Sequence, residues 1–363
     1  MFKTFAPLAR LRARTFASTN PAPTKLRSAT PRSATLAPTC FATLLAATWL
    51  AAAALATSPA AAQTWPDRPI RIIIPFAPGG GADGVARLLA VQLEKDLGQP
   101  VVVESKAGGN TVIAAQTVAR AAPDGYTLLM TGGSTMSLLP LTASTPLPYD
   151  PFKDFSPIGM LSKGPYLVAV SSSLGADTLA DVLTLARTRP GAVAYASNGI
   201  GASAHIGMEL LAQRAGVQMT HVPYKGFAPA LGDVVSGRTP LTMIDLATLG
   251  GFAKSGRIKI LASTAAQRSP MFPEVPTVAE LGYPGYEVET WFALYAPART
   301  PSSVVAKVGE LSAKWLATPE AKAALAALGQ EATASSPDAV TQRILAEQKA
   351  YAPLVTAANI KTD

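Results

Sequence analysis

Cysteine and histidine are scarce in this chain of 363 residues, which contains one cysteine and two histidines. Cys40 lies just ahead of an apolar run at residues 41–55, so a mature chain without that leader contains no cysteine. Disulfides, thiolate catalysis and cysteine-ligated metals are therefore excluded from the mature chain. His205 and His221 alone form no zinc-binding pattern. We expect neither a metal nor a cofactor.

Acidic residues are absent from positions 1–62, which carry seven of the 31 lysines and arginines. The rest of the chain has 24 basic and 23 acidic residues, a net charge of +1 out of the +8 of the whole chain. The basic character therefore belongs to the leader. A nucleic-acid-binding protein would carry a basic patch on its folded domain, so we expect no nucleic-acid partner.

The leader has the layout of a secretory signal peptide. A basic region precedes the apolar run 41–55, and small residues precede Gln63. A membrane-spanning helix needs about 20 apolar residues, so this run favours a removed signal over an anchor. We predict a signal peptide at 1–62, cleavage near Ala62 and export from the cytoplasm. The basic region is also rich in Ser and Thr, which leaves an organelle transit peptide as an alternative.

The mature chain alternates between strand and helix patterns. Residues 70–75 form an apolar run of strand length, and residues 80–97 carry apolar side chains at helical spacing. A second alternating series begins after a proline-rich connection at 147–152. Such alternation predicts an α/β fold with two lobes, each a mostly parallel sheet flanked by helices. We place the first part of lobe 1 at 63–165, lobe 2 at 166–288 and the return to lobe 1 at 289–363.

Each lobe has a glycine loop between a strand and a helix. The first includes Gly79, Gly80 and Gly81, and the second runs from Ser197 to Ser203 through Gly199 and Gly201. Backbone N–H groups at a helix N-terminus attract anions, and parallel strands bind ligands at their carboxyl ends. We therefore predict that two facing clusters of unpaired N–H groups hold a small anion in a cleft between the lobes.

Other interpretations of the first loop remain open. Gly79-x-Gly81-x-x-Gly84 fits the dinucleotide fingerprint, and Glu104 stands where a ribose-binding acid would lie. The alternative function is thus an NAD(P)-dependent oxidoreductase. Pro78, which removes one donor from the turn, and the predicted export both oppose it. The glycines could also simply permit a tight turn.

Several side chains near the loops allow both a structural and a functional role. Asp83 could cap its helix or orient a ligand-bound water. Asp245 follows a strand and could face the cleft or cap the next helix. His205 could have a structural or pocket-lining role, which we favour, or act as a proton donor. A triad of Ser203, His205 and Asp245 is disfavoured, because there is no Gly-x-Ser-x-Gly elbow and residues two apart on a helix point to different faces. Lys225 is expected in solvent.

Four segments together resemble a known family: Pro75-Phe76-Ala77-Pro78-Gly79-Gly80 with Asp83 and Arg87; Pro123-Asp124-Gly125-Tyr126-Thr127-Leu128-Leu129; His221-Val222-Pro223-Tyr224-Lys225-Gly226; and Pro273-Glu274-Val275-Pro276-Thr277 with Pro284-Gly285-Tyr286. They resemble the Bug family, the periplasmic solute-binding proteins of tripartite tricarboxylate transporters. The resemblance covers essentially the whole mature chain, in the expected order.

The resemblance implies a Venus-flytrap receptor, not an enzyme, that binds a small carboxylate through backbone amides and ordered water. The partners it implies are a transporter's membrane subunits or a sensor, and we expect a monomer. Carried over by position, the implied ligand-binding residues are Phe76, Ala77, Gly79, Gly80, Asp83, Ser134, Ser197, Gly199, Ala202, Ser203, His205 and Asp245. The loop 105–111, Ser-Lys-Ala-Gly-Gly-Asn-Thr, departs from the family pattern Asn-(Arg/Lys)-Pro-Gly-Ala-(Ser/Gly)-Gly, so the identity of the ligand stays open.

Overall fold

The structure, a computed structural model, describes residues 65–269 and 272–362. The predicted signal peptide at 1–62 lies outside the described residues. In the described part, the strands are β1 (Ile70–Ile74), β2 (Val101–Ser105), β3 (Thr127–Thr131), β4 (Phe155–Pro165), β5 (Leu167–Ser171), β6 (Ala194–Ser197), β7 (Thr220–Pro223), β8 (Leu241–Ile244), β9 (Ile258–Ser263), β10 (Glu289–Pro297) and β11 (Glu331–Ala332).

The helices in the described part of the chain connect these strands and cover the sheets. They are α1 (Gly81–Leu97), α2 (Val112–Ala119), α3 (Leu139–Thr142), α4 (Leu179–Thr188), α5 (Ser203–Ala215), α6 (Phe227–Ser236), α7 (Leu246–Leu249), α8 (Ser302–Leu316), α9 (Pro319–Ala327) and α10 (Pro337–Ala357). Within the described residues, no helix is both long and apolar enough to cross a bilayer.

The strands form two sheets, as expected for a two-lobed α/β protein. The first sheet has the order β11-β4-β10-β3-β1-β2, and the second has the order β7-β6-β8-β5-β9. We call the first sheet and its helices lobe 1, and the second sheet and its helices lobe 2. Apolar side chains of α1 such as Leu89 and Leu93 are fully buried against the first sheet.

Both sheets are mixed, so the expectation of mostly parallel sheets is wrong in this respect. In lobe 1, β1 is parallel to β2 and β3, whereas β10 is antiparallel to β3 and β4, and β11 is antiparallel to β4. In lobe 2, β6 is parallel to β7 and β8, whereas β5 is antiparallel to β8 and β9.

The chain crossings explain the antiparallel pairs. β4 ends at Pro165 and β5 begins at Leu167 in the other sheet, so β5 starts at the junction of the lobes and runs away from it. β10 likewise brings the chain back from lobe 2 and runs away from the junction. The strands β1, β3, β6 and β8 run the opposite way, and their carboxyl ends therefore meet at the cleft between the lobes.

β4 is a strand that the sequence pattern did not predict. Its sequence contains two prolines and two glycines, which are depleted in strands. Pro157 is accommodated because it pairs with Tyr295 at an irregularity in the register between β4 and β10. The other side of β4 pairs only with the two-residue strand β11. The strand is therefore set by its long pairing with β10 and not by local propensity.

Gly132 marks the point where β10 passes closest to the end of β3. A Cβ atom at this position would lie 1.7 Å from the carbonyl oxygen of Trp291 in β10. We predict that Gly132→Ala lowers the free energy of unfolding by more than about 3 kcal/mol, because the β3–β10 backbone would have to separate.

The matched control is Gly232→Ala in α6, where an added Cβ meets nothing within 4 Å. This change should stabilise the protein by roughly 0.5–1 kcal/mol, because alanine is favoured over glycine inside a helix. Urea denaturation followed by circular dichroism measures both variants. Equal stability of the two alanine variants would contradict the close approach at Gly132.

Candidate functional site

The cleft between the lobes contains two adjoining chambers. The inner chamber, about 40 Å³, is lined by the first glycine loop from lobe 1 and by side chains of lobe 2 that include Asp245 and Thr248. The outer chamber, about 250 Å³, is lined by the loop after β2 and by the ends of β6 and β7. Phe76, Asn198 and Gly226 line both chambers. The two glycine loops therefore meet at one cleft.

The N-terminus of α1 faces Asp245 across the cleft. The N–H of Gly81, the first residue of α1, donates a hydrogen bond to Oδ1 of Asp245 at 3.2 Å. Asp245 also accepts bonds from the backbone N–H of Thr248 at 2.9 Å and from the Thr248 hydroxyl at 3.0 Å. It therefore caps α7 and closes the cleft at the same time. Its side chain is 6% exposed, and burial raises its pKa.

The N-terminus of α5 has the reciprocal arrangement. The N–H of Ser203, the first residue of α5, donates to Oγ of Ser134 at 3.1 Å, and the two hydroxyls are 3.2 Å apart. Ser134 belongs to lobe 1 and follows β3. Each lobe thus presents a helix N-terminus to an oxygen of the other lobe.

The prediction that these loops hold unpaired donors is wrong for five N–H groups. Besides those of Gly81 and Ser203, the N–H of Gly79 donates to Asp83, that of Gly199 to Ser197 and that of Gly201 to His205. Buried backbone N–H groups are almost always paired, so side chains of the protein accept these bonds in the closed conformation. The donors are present where predicted, but they have protein partners.

Two stacked histidines lie beneath the second glycine loop. The rings of His205 and His221 are parallel within 9° at a centroid distance of 3.6 Å. Nδ1 of His205 accepts the hydrogen bond from the Gly201 N–H at 2.8 Å, which assigns the ring proton to Nε2. His221 Nε2 lies 2.6 Å from the Ser197 hydroxyl. The pair therefore fixes both ends of the loop.

Burial keeps both histidines neutral. It lowers the pKa of His205 to about 3, with a further contribution from the charge of His221, and it lowers the pKa of His221 to about 4. Oε1 of Glu209 lies 4.0 Å from Nε2 of His205 and accepts a hydrogen bond from the Tyr195 hydroxyl. The carboxylate of Glu209 does not offset the desolvation of the two rings.

The structure divides the twelve predicted ligand-binding residues into two groups. Those that line a chamber are Phe76, Ala77, Gly80, Gly199 and Asp245. Those that lie beside the chambers, where they hold the loops or helix N-termini, are Gly79, Asp83, Ser134, Ser197, Ala202, Ser203 and His205. Contact with a ligand stays a prediction for every member of both groups.

Some lining residues were not identified from the sequence. Tyr166, Phe227, Thr290 and Phe292 line the inner chamber, and Asn110 and Thr111 line the outer chamber. The inner group comes from the strand crossings and from the start of α6, which no local motif marks. For Asn110, the available signal was the atypical sequence of the loop that contains it.

The predicted alternatives for the polar side chains are partly resolved. Asp83 accepts from the Gly79 N–H at 3.1 Å and pairs with Arg87 at 2.9 Å, which is the bonding of a capping residue. Asp245 has both predicted roles. Ser203, His205 and Asp245 have separate partners and form no triad. Within residues 65–269 and 272–362, no cluster of His, Cys, Asp and Glu could hold a metal ion.

The geometry does not favour a dinucleotide at α1. Asp245 already accepts the N–H of Gly81, the first donor of α1. Glu104, the candidate ribose ligand, pairs instead with Arg71 at 3.4 Å and Lys106 at 2.9 Å. The acid expected to bind the ribose is therefore already held in ion pairs with two basic side chains.

Comparison with known proteins gives consistent matches. Residues 85–360 match the family described as tripartite tricarboxylate transporter family receptor. Protein BugT of Bordetella pertussis is 35% identical over 306 residues, which cover 84% of this chain and 94% of BugT.

Two solved structures of Rhodopseudomonas palustris proteins are also similar. Rpa4515 with adipate is 34% identical, with a TM-score of 0.79 over 82% of this chain and 99% of that one. MatC with bound malate is 30% identical, with a TM-score of 0.75 over 80% and 100% of the two chains. These matches do not support the oxidoreductase alternative.

The histidine pair predicts a pH-dependent stability. An unfolded histidine binds a proton near pH 6.5, whereas the folded pair stays neutral down to about pH 4 for His221 and about pH 3 for His205. The unfolded state thus binds more protons in this window. The stability contributed by the pair is complete above pH 6.5 and is lost as the pH falls through the window.

We expect the protein to lose roughly 3 kcal/mol between pH 7.5 and 5.5, about 1.4 kcal/mol for each histidine. His205→Asn keeps an acceptor for the Gly201 N–H and should reduce this loss by about half. Urea unfolding at the two pH values measures the difference. The same pH-dependent loss in wild type and variant would contradict a buried neutral His205.

Proposed function

Because this chain belongs to the family of tripartite tricarboxylate transporter receptors, a family of solute-binding proteins, we propose that it captures a small carboxylate between its two lobes. The ligand is an organic acid or an acidic amino acid. The observation that carries the proposal is the carboxylate of Asp245 at the N-terminal N–H of α1. The Asp245 oxygen stands in for an oxygen of the ligand's carboxylate.

The chemistry of this position favours an anion. The Gly81 N–H begins a helix of 17 residues, whose dipole presents positive charge at that end. A hydrogen bond to a charged acceptor contributes about 1.5–3 kcal/mol, and burial strengthens it further. The site already accepts one carboxylate, that of Asp245. A ligand's carboxylate would use the same donor once Asp245 withdraws.

The chambers suit a small elongated acid. The inner chamber adjoins α1, and the outer chamber offers about 250 Å³ next to it. The relatives Rpa4515 and MatC, solved with adipate and malate, support a ligand with two carboxyl groups. An exposed lysine, Lys225, borders the outer chamber and would attract a second carboxylate. We assign the first carboxylate to the α1 N-terminus and the far end of the ligand to the outer chamber.

The remaining features of the proposal follow from the family. We propose a periplasmic receptor, exported by the signal peptide with cleavage near Ala62, and lobe boundaries after residues 165 and 288. The receptor acts without catalysis and delivers its ligand to the membrane subunits of a transporter or to a sensor. It acts as a monomer.

Thermal unfolding of the purified receptor with a panel of organic acids tests the proposal. At a concentration 100 times its Kd, a bound acid should stabilise the folded state by about 2.7 kcal/mol. The neutral diamide of the same acid should have no effect, because it lacks the charge that the α1 N-terminus binds. NAD and NADP serve as further controls. Stabilisation by a nicotinamide dinucleotide and by none of the acids would overturn the proposal.

A pair of variants at Gly81 isolates the N–H donor. Gly81→Pro removes this N–H at the first position of the helix, where proline is favoured, and Gly80 already has the extended backbone that precedes proline. Gly81→Ala adds a Cβ atom in the same place and keeps the N–H. We expect Gly81→Pro to bind the acid about 10- to 100-fold more weakly than Gly81→Ala, as measured by isothermal titration calorimetry. Equal Kd values would show that Gly81 is not the carboxylate donor.

A further inference from the structure

The loop between β2 and α2 reaches across the cleft at the outer chamber. Nδ2 of Asn110 donates a hydrogen bond to the carbonyl oxygen of Ile200 at 2.6 Å. Ile200 belongs to the second glycine loop, so this bond joins lobe 1 to lobe 2. Asn110 lines the outer chamber but not the inner one, which places it away from the N-terminus of α1.

Asn110 also fills the space above Gly199. Gly199 has a φ of +143°, and an added Cβ there would lie 2.6 Å from Oδ1 of Asn110. The amide of Asn110 thus packs against the backbone of the opposite loop and donates to it as well. It closes the gap between the lobes on this side of the outer chamber.

The backbone of the loop around Asn110 has a strained conformation. Residues 108–111 all have positive φ, with 48° at Asn110 and 77° at Thr111. Asparagine tolerates this region, whereas a β-branched threonine rarely adopts it. Thr111 is only 7% exposed, and its hydroxyl has no hydrogen-bond partner among the described residues. Strain of this kind persists where the surrounding structure imposes it, and it is common at ligand-binding sites.

We propose that Asn110 sets the length of the carboxylate that this receptor accepts. The inference rests on the proposed function, because it takes α1 as the anchor of the ligand's first carboxylate. An elongated acid held there extends past Phe76 and Asn198 into the outer chamber. The amide of Asn110 then bounds the space left for the far end of the ligand. Because Asn110 packs against Gly199, the far end of the ligand cannot pass between these two residues.

The test compares Asn110→Gly with wild type over the linear dicarboxylates malonate, succinate, glutarate, adipate, pimelate and suberate. Glycine accepts the positive φ and removes the four heavy atoms of the side chain, so the backbone of the loop is preserved. Isothermal titration calorimetry gives the Kd of each acid. For wild type, one methylene beyond the preferred length should weaken binding about tenfold or more. For Asn110→Gly, that longer acid should bind within about threefold of the preferred one, or better.

Two further variants separate length selection from simple closure of the cleft. Asn110→Asp keeps the size of the side chain but loses the donor to Ile200 and adds a negative charge beside the outer chamber, so it should weaken the binding of every acid while the preferred length stays unchanged. Asn359→Gly is the matched control, because Asn359 has the same φ of 48° and is exposed in the turn after α10. Its Kd values should equal those of wild type.

The possible outcomes separate this inference from the proposed function. A shift of the preferred length in Asn110→Gly alone supports the inference. A uniform loss of affinity in Asn110→Gly, or an unchanged length profile, overturns it and leaves the proposed function intact. If wild type binds the acids of the series with no dependence on length, the inference is also wrong. If wild type binds none of them, while it is stabilised by no other organic acid, the proposed function fails as well.

Discussion

The hydrogen bond from the Gly81 N–H to the carboxylate of Asp245 connects the main features of this protein. A fully buried carboxylate must be hydrogen-bonded, and Asp245 finds its donors on both sides of the cleft. The lobes must come together for this to happen, because the donor begins α1 in lobe 1 and the acceptor caps α7 in lobe 2. Ser134 and Ser203 repeat the arrangement in the opposite sense. The closed cleft is therefore held by the same type of contact that a carboxylate ligand would make.

The mixed topology of the sheets places these groups. Because β5 and β10 start at the junction of the lobes, β1, β3, β6 and β8 can run toward it, and the carboxyl ends of β1 and β6 deliver the two glycine loops to one cleft. Gly132 allows β10 to pass close to the end of β3. The neutral histidine pair then supports the second loop from below. Packing, sheet topology and loop geometry together thus determine where the N-termini of α1 and α5 lie.

Local sequence patterns predicted much of this architecture. The bounds of β1 and α1 each differ by one residue at an end from the ranges 70–75 and 80–97 expected from the sequence. Helical spacing, glycine stops and apolar runs are local signals, and they suffice for such elements. β4 could not be found in this way, because its prolines and glycines are compensated by pairing with a strand more than 100 residues away.

The hydrogen-bond partners of the loop N–H groups could not be predicted from local sequence patterns. Gly81 and Asp245 are separated by 164 residues, Ser134 and Ser203 by 69, and Asn110 and Ile200 by 90. Each pair forms only when the two lobes come together, so no spacing in the sequence predicts it. The glycine loops themselves were predictable because the need for a helix N-terminus free of side chains is local. Which atom accepts each N–H depends on the tertiary structure.

A crystal structure of the receptor with its bound acid tests the central claim most directly. We expect a ligand carboxylate oxygen within hydrogen-bond distance of the Gly81 nitrogen, with the Asp245 carboxylate moved away from that nitrogen. A ligand bound elsewhere, with the bond between Gly81 and Asp245 still in place, would contradict the account.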